Sequence, residues 1–564
     1  MRSSSRLATV LAGAALLATG ANALPKVTRS GRYLYNEDGS RFFIKGVAYQ
    51  QQGAESTDPN NPFLEPSTFI DSLADGAGCQ RDIPFLQELD VNVIRAYSVD
   101  STLDHDTCMN ALSAANIYTI IDLSLPTNGS IDRLDPAWTT DLLDLYLNTI
   151  NVFSKYDNVL GYNVGNEIVT QANGTAAAAF IKAAARDVKA YLNSKNINAL
   201  IGYAAIDADD SWLVPFANYL SCDPSNTNSD ATAIDLFGLN NYEFCGDASA
   251  SAYSDKNGAF AGYNVAAYFS EFGCITSPPR LWTEVPIIFS EPMSDIWSGG
   301  IAFSYFPATS SQGQFGMVTI SSDNTTVTVS DDFTRLQAQF NSTTGPNTPS
   351  APGTTTFPSC PTTNSTFLAS STLPPTPNDN SCNCLEDSLA CTFAPKTSNT
   401  TGILGPLLDT TCGLLGQAGG NCDAISADGA SGTYGTVSGC SPSIKLSYVM
   451  DQYYELTNRV ATSCDFGGNA TINVNAPTGT AASAAASSCL SNPNATFVPS
   501  APSTTAGSGA AATGSGSSSS GSNSGSGTSG SNGNSASGAV GREAFVGALI
   551  ATACGLVGGL LALA

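Results

Sequence analysis

From residue 42 to residue 306 the chain repeats one pattern: a short β-branched or aromatic run, a polar break, then a stretch with apolar residues at helical spacing. The runs predict strands over Phe42–Tyr49, Val91–Tyr97, Ile117–Leu123, Val159–Glu167, Ala199–Ala205, Ile234–Tyr242, Ala267–Phe272 and Ile301–Phe306. The clearest helical periods fall at Asp141–Phe153, Ala176–Leu192 and Leu281–Phe289. Strands that are apolar on both faces and alternate with helices imply a parallel sheet covered on both sides. Eight such units in roughly 300 residues predict an α/β fold of the (β/α)8, or TIM barrel, type. The alternative is a doubly wound open sheet, but no Gly-rich dinucleotide loop follows the first run.

The pattern changes outside this region. Residues 1–23 open with Met-Arg-Ser-Ser-Ser-Arg, continue with an apolar run from Leu7 to Ala18 and end in Ala21-Asn22-Ala23, the layout of a cleaved signal peptide. Residues 24–345 form the mixed globular part, and 346–380 are Thr/Pro/Ser/Asn-rich and read as a linker, with Cys360 tied back to the barrel. Residues 381–497 are cysteine-rich and predict a small, stapled, mainly helical module. Residues 498–536 carry a Ser/Gly-rich stalk. The segment 537–564 ends in an uncharged apolar run from Ala544 to Ala564, which reads as a glycosylphosphatidylinositol signal with attachment near Asn534; its removal takes Cys554 with it.

Fifteen cysteines less Cys554 leave an even number, in a chain expected to leave the reducing cytosol, so a disulfide framework is the expected use. Sequons at Asn128, Asn173, Asn324, Asn341, Asn364, Asn399, Asn469 and Asn494 fit the same compartment. A net charge of −25 argues against nucleic acid, which needs a basic footprint, and leaves a neutral polymer open as partner. The one histidine, His105, reads as a surface or capping residue at a helix start; a single histidine excludes a Ser-His-Asp triad and any multi-histidine metal site. No cofactor and no metal are expected. Zinc at Cys382-x-Cys384 is disfavoured by the oxidising compartment and the missing histidines.

In a barrel of this type the chemistry sits at the carboxyl ends of the strands. Three endings are conspicuous: Gly161–Glu167 closes the fourth strand with Asn166-Glu167, Phe237–Tyr242 closes the sixth, and Ala267–Gly273, carrying Glu271, closes the seventh. Retaining cleavage of a glycosidic bond uses two carboxyl groups about 5–5.5 Å apart, one to protonate the leaving oxygen and one to attack the anomeric carbon. Glu167 and Glu271 are the candidates. Asn166 is placed to bond a sugar hydroxyl, and the Tyr242 hydroxyl to hold the nucleophile ionised.

At these motifs the chain resembles glycoside hydrolase family 72, the fungal β-1,3-glucanosyltransferases of the cell wall. The stretches that carry the resemblance are Ile44–Gln51, Ile94–Ser98, Ser101–Met109, Gly161–Ile168, Gly238–Gly246 and Ser270–Cys274, within about residues 27–340. The resemblance implies Glu167 as general acid/base and Glu271 as nucleophile. It further implies glucan contacts from Gln51, Tyr97, Asp122, Asn166, Tyr242 and Tyr305, and an acidic acceptor-side position at Asp209, with a basic residue expected soon after; residues 211–215 offer none. The implied activity is transfer: an internal β-1,3 linkage is cut, and the new reducing end is joined to the non-reducing end of another chain. The rival readings are a hydrolytic endo-β-1,3-glucanase and a non-catalytic glucan-binding wall protein.

The cysteine-rich part resembles carbohydrate-binding module family 43 at Cys382-Asn-Cys384, Cys391, Cys412, Cys422, Cys440, Cys464 and Cys489. Together the two resemblances imply the pairings Cys79–Cys108, Cys222–Cys360, Cys245–Cys274, Cys382–Cys440, Cys384–Cys489, Cys391–Cys464 and Cys412–Cys422. The expected partners are donor and acceptor β-1,3-glucan chains and a membrane reached through the lipid anchor. The chain is expected to be monomeric, at the outer face of the plasma membrane.

Overall fold

The computed structural model describes residues 23–54, 66–126, 129–310, 312–351, 353–477, 481–492 and 496–502. Nearly all of the expected signal peptide, Asn128, Asn494, most of the stalk, the attachment region near Asn534 and the apolar tail lie outside the described residues.

Eight strands close into a parallel barrel: β1 (Ile44–Ala48), β2 (Val93–Ala96), β3 (Tyr118–Asp122), β4 (Val159–Asn166), β5 (Leu200–Ile206), β6 (Leu236–Asn240), β7 (Ala266–Phe272) and β8 (Trp297–Ala302). Each pairs with its neighbour in the chain, and β8 closes on β1 through Gly299–Ala302 against Ile44–Val47. The first seven strands lie within a few residues of their predicted bounds. The eighth starts four residues earlier than predicted and stops at Ala302. Gly299 and Gly300 weaken its apolar signal, yet a Cβ at Gly299 would lie 2.1 Å from the Ile44 carbonyl oxygen, so the closing contact requires glycine there.

Side chains alternate across the barrel wall as strand geometry demands. On β2, Val93 packs inside with Ile44, Ile120, Leu160, Leu236 and Ile301, whereas Ile94 and Ala96 face the outer helices. An N-terminal hairpin, Thr28–Ser30 with Tyr33–Tyr35, brings Leu34 into the inner cluster and closes the end of the barrel away from the strands' carboxyl termini. Helix α1 (Thr140–Phe153) buries Leu143, Tyr146, Leu147, Ile150 and Phe153 at i, i+3, i+4 spacing. Helix α2 (Ala178–Lys195) is preceded by a 3-10 turn over Ala172–Ala177 and stops at Asn196, which is left-handed at φ 56°. The helix predicted over Leu281–Phe289 shrinks to Glu284–Ile288.

Two readings are corrected. His105 occupies the cap position of its helix but is buried, with Nε2 2.8 Å from Asp71 Oδ2 and its ring 4.4 Å from that of Phe153. The Thr/Pro-rich stretch 346–380 is laid along the barrel rather than free: Phe367 and Ala369 join the outer core, and Thr376 Oγ1 donates to Asp187 Oδ1 at 2.7 Å. A backbone that bonds outward to side chains and carries only the aromatic anchors Phe357 and Phe367 has no periodicity to detect.

The cysteine-rich module is built on Asp379–Ser388, Thr401–Gln417, Pro442–Leu456 and Ala482–Cys489, all helical, with the small strands Cys391–Phe393 and Ala470–Ile472 paired antiparallel. It meets the barrel where Thr140 N donates to Gly439 O at 3.0 Å and where Tyr434 stands edge-on to Phe180. Its bridges join Cys382–Cys440, Cys384–Cys489, Cys391–Cys464 and Cys412–Cys422; Cys79–Cys108, Cys222–Cys360 and Cys245–Cys274 lie in the barrel part and strap. Each native bridge in so small a core contributes about 2–5 kcal/mol. A chain stopped before Cys554 is therefore expected to show no free thiol when denatured without reductant. Mild reduction is expected to unfold the module before the barrel, followed by limited proteolysis.

Candidate active site

The strand alternation that points Val93 inward also points Arg95 inward, so a guanidinium lies fully buried in the barrel. Its five N–H groups need acceptors there. Nε and Nη2 reach Asp122 Oδ1 and Oδ2 at 3.2 and 2.7 Å, and Nη2 also donates to Asn166 Oδ1 at 2.9 Å. Nη1 donates to the Ser270 carbonyl at 3.1 Å and lies 3.4 Å from Glu271 Oε1. Asp122 is completed by Asn163 Nδ2 at 2.6 Å.

The two glutamates reach the mouth through irregularities in their strands. On β7, Tyr268 pairs with Gly238 but Glu271 pairs with Asn240, so one extra residue is inserted. On β4, Asn163 pairs with Gly202 and Asn166 with Ala204, another extra residue. Such bulges re-aim the side chains that follow. Glu167 then takes left-handed backbone angles at φ 48°. Glu271 is buried and accepts from the Tyr97 hydroxyl at 2.9 Å on Oε1 and from the Tyr242 hydroxyl at 2.8 Å on Oε2. Glu167 Oε1 accepts from Asn240 Nδ2 at 2.6 Å, and its carbonyl accepts from Arg133 Nε at 3.0 Å. Two carboxylates at the ends of strands four and seven are thus joined through Asn240, Asn166 and Arg95.

A family profile described as Glucanosyltransferase matches residues 17–344, and one described as X8 domain matches 389–471. The chain belongs to the glucanosyltransferase family. It is 38% identical over 482 residues to 1,3-beta-glucanosyltransferase gas1 of Schizosaccharomyces pombe, covering 84% of this chain and 83% of that protein. It is 35% identical to 1,3-beta-glucanosyltransferase GAS2 of Saccharomyces cerevisiae, covering 75% of each. A crystal structure of a Saccharomyces cerevisiae Gas2p mutant in complex with laminaritetraose and laminaripentaose superposes with a TM-score of 0.71 at 32% identity, covering 83% of this chain and 98% of that one.

Within this glucanosyltransferase barrel the expected contact residues divide. Tyr97, Asn166, Glu167, Tyr242 and Glu271 converge at the mouth. Gln51 is half-buried beside it, its backbone N–H donating to Ser72 Oγ at 3.0 Å, while the preceding Gln50 accepts from the Tyr97 and Ser98 N–H groups. Asp122 does not face the cleft: it is buried beneath it and engaged by Arg95 and Asn163. Asp209 caps helix Asp210–Ser221 through the Ser211 N–H, exposed to solvent. The half-buried acid next to it is Asp207, with Asn241 Nδ2 at 2.7 Å and Lys256 Nζ at 3.0 Å. Lys256 also reaches Asp210 at 2.7 Å, so the basic partner sought just after Asp209 comes from a helix far along the chain. Tyr305 is fully buried, its ring packed on Tyr49 and Phe306. Arg95, Asn163, Asn240 and Ser270 were not singled out from sequence, although polar residues inside otherwise apolar strands were the available signal.

Burial pushes the Glu271 carboxyl above the ordinary range, and Arg95, Tyr242 and Tyr97 oppose that push by favouring the charged form. Burial and the neighbouring carboxylate hold both tyrosines well above their usual values, so they stay neutral donors. Burial works against the Arg95 charge, but Asp122, Tyr97 and Glu271 outweigh it. Tyr242→Phe removes a donor that favours the carboxylate, so the Glu271 titration should move to higher pH. The acid limb of the rate profile is expected to shift upward by about one pH unit, with a loss approaching about tenfold below that limb and little change well above it. Rate measurements between pH 3 and 8 check this.

Proposed function

We propose that the chain works as a retaining β-1,3-glucanosyltransferase with Glu271 as nucleophile and Glu167 as general acid/base. Glu271 attacks the anomeric carbon of an internal β-1,3 linkage while Glu167 protonates the departing oxygen, and a covalent glucosyl-enzyme forms. A hydroxyl at the non-reducing end of a second glucan chain then gives its proton to Glu167 and displaces Glu271. The new linkage keeps the β configuration and the acceptor chain is longer. The observation that carries this reading is the setting of Glu271: buried, and bonded by two neutral hydroxyls and one guanidinium that hold it as the carboxylate. An acidic chain without a basic footprint suits a neutral polymer.

The sequence supports a wider frame for this chemistry. The leader, sequons and bridged cysteines support secretion, the cysteine-rich part a glucan-binding module, and the apolar tail behind small residues a lipid anchor at the outer face of the plasma membrane. Among the described residues no helix is long and apolar enough to cross a membrane. On this reading the enzyme is a monomer tethered by its stalk within reach of wall glucan.

Incubation with a reduced laminari-oligosaccharide is expected to yield products both longer and shorter than the substrate by chromatography; shorter products alone would mark an endo-glucanase. Glu167→Gln is expected to slow processing by about 10²–10⁴-fold. Glu271→Gln should abolish the covalent intermediate, and both variants should keep the wild-type circular dichroism. Mass spectrometry of the mature C-terminus is expected to find a lipid-modified residue near Asn534; a peptide running through Gly555 to Ala564 would remove the anchor from this scheme.

A further inference from the structure

Hydrogen-bond chemistry at the mouth admits only one arrangement of donors and acceptors. Arginine has no acceptor, so the 2.9 Å contact from Arg95 Nη2 makes Asn166 Oδ1 an acceptor. That oxygen lies 3.2 Å from the amide nitrogen of Asn240, and the same nitrogen lies 2.6 Å from Glu167 Oε1. Turning the Asn240 amide over would set its oxygen against two other oxygens. Its NH2 therefore faces Asn166 and Glu167, and its oxygen faces back, where Ser270 Oγ donates at 2.7 Å. Space for that hydroxyl depends on the glycine at 238, where a Cβ would lie 2.5 Å from Ser270 Oγ. Asn240 and Ser270 are buried on strands β6 and β7, so the orientation rests on the barrel wall and not on a loop.

From this geometry we infer that Asn240, oriented by Arg95 and Ser270, is a positioning residue for the acid/base: its amide N–H holds Glu167 by Oε1. The inference rests on the acid/base reading of Glu167. In the first step the proton leaves Glu167 for the departing glycosidic oxygen as the C–O bond breaks and the bond to Glu271 forms. In the second the acceptor hydroxyl returns its proton to Glu167 as its oxygen bonds to the anomeric carbon and the bond to Glu271 breaks. The amide does not titrate, so Asn240 holds Glu167 without competing for its proton. It also favours the ionised form of Glu167, because hydrogen bonds to charged groups are the stronger ones.

The test is the pH profile of transfer from a laminari-oligosaccharide for wild type, Asn240→Ala, the isosteric Asn240→Asp, Ser270→Ala and Glu167→Gln. Losing the Asn240 donor raises the Glu167 pKa. The alkaline limb, which marks loss of the acid/base proton, is then expected to move up by about one pH unit, while the acid limb stays in place. The rate is expected to fall by about ten- to a hundredfold, with KM within a few-fold of wild type. Asn240→Asp should shift the limb at least as far, since a second carboxyl competes for the proton, and Ser270→Ala should shift it less. With a donor whose leaving group is 2,4-dinitrophenolate, which needs no protonation, the first-step rate of Asn240→Ala should return to within a few-fold of wild type. An alkaline limb unmoved in both Asn240 variants, while Glu167→Gln loses it, overturns the inference and leaves the acid/base reading standing. A limb that survives in Glu167→Gln overturns the acid/base reading itself.

Discussion

The buried guanidinium of Arg95 is the contact on which the site depends. A single charge inside the barrel is tolerable only if every N–H is answered and the charge is matched nearby. Asp122 supplies the match from β3, Asn166 and the Ser270 carbonyl supply acceptors from β4 and β7, and Glu271 completes the ring. Four strands are thereby held in register by one side chain. Because Asp122 is also bonded by Asn163, it behaves as a counter-ion beneath the cleft, and Glu271 has only part of a positive charge to itself. That division suits the nucleophile role proposed for Glu271: the guanidinium and the two tyrosine donors oppose the push of burial and favour the charged form.

Placement of the two glutamates follows from the bulges in β4 and β7. An unbroken strand alternates its side chains between barrel interior and outer helices, and an extra residue changes which face the following positions take. Both carboxylates follow such an insertion. Glycines accompany them: Gly238 leaves room for Ser270 Oγ, and the left-handed Gly273, at φ 117°, approaches the Trp282 ring. The site is thus built on strand ends and rigid turns, which suits a reaction that needs two carboxyl groups at a set separation.

The region beyond Gly345 is more than an appendage to this barrel. The strap through Phe367 and Thr376 lies on the outer helices, Cys360 is bonded to Cys222, and the cysteine-rich module meets the amino end of α1. The disulfides reinforce the module's two small cores, around Leu385, Leu415 and Val449 and around Leu446 and Met450. Coupling through these contacts places the module in a defined relation to the barrel surface, with the strap as the connection.

Much of this was legible in the sequence because barrels leave a repetitive trace. Eight apolar runs separated by helical periods predict the closed parallel sheet, and acids ending the fourth and seventh runs point to the mouth. Local patterns carry that information, since burial on both faces forces apolar runs and active sites require polar ends. Tertiary structure alone decided the rest. Asp122 and Tyr305, which the resemblance implies as glucan contacts, are buried, and Asp209, which it implies on the acceptor side, caps a helix. Lys256 joins Asp207 and Asp210 across a long interval of chain, and Arg95 finds acceptors on three other strands. Such pairings depend on which strands become neighbours, where a strand carries one residue too many, and which polar group a closed barrel leaves without water; none of these is a property of any segment by itself.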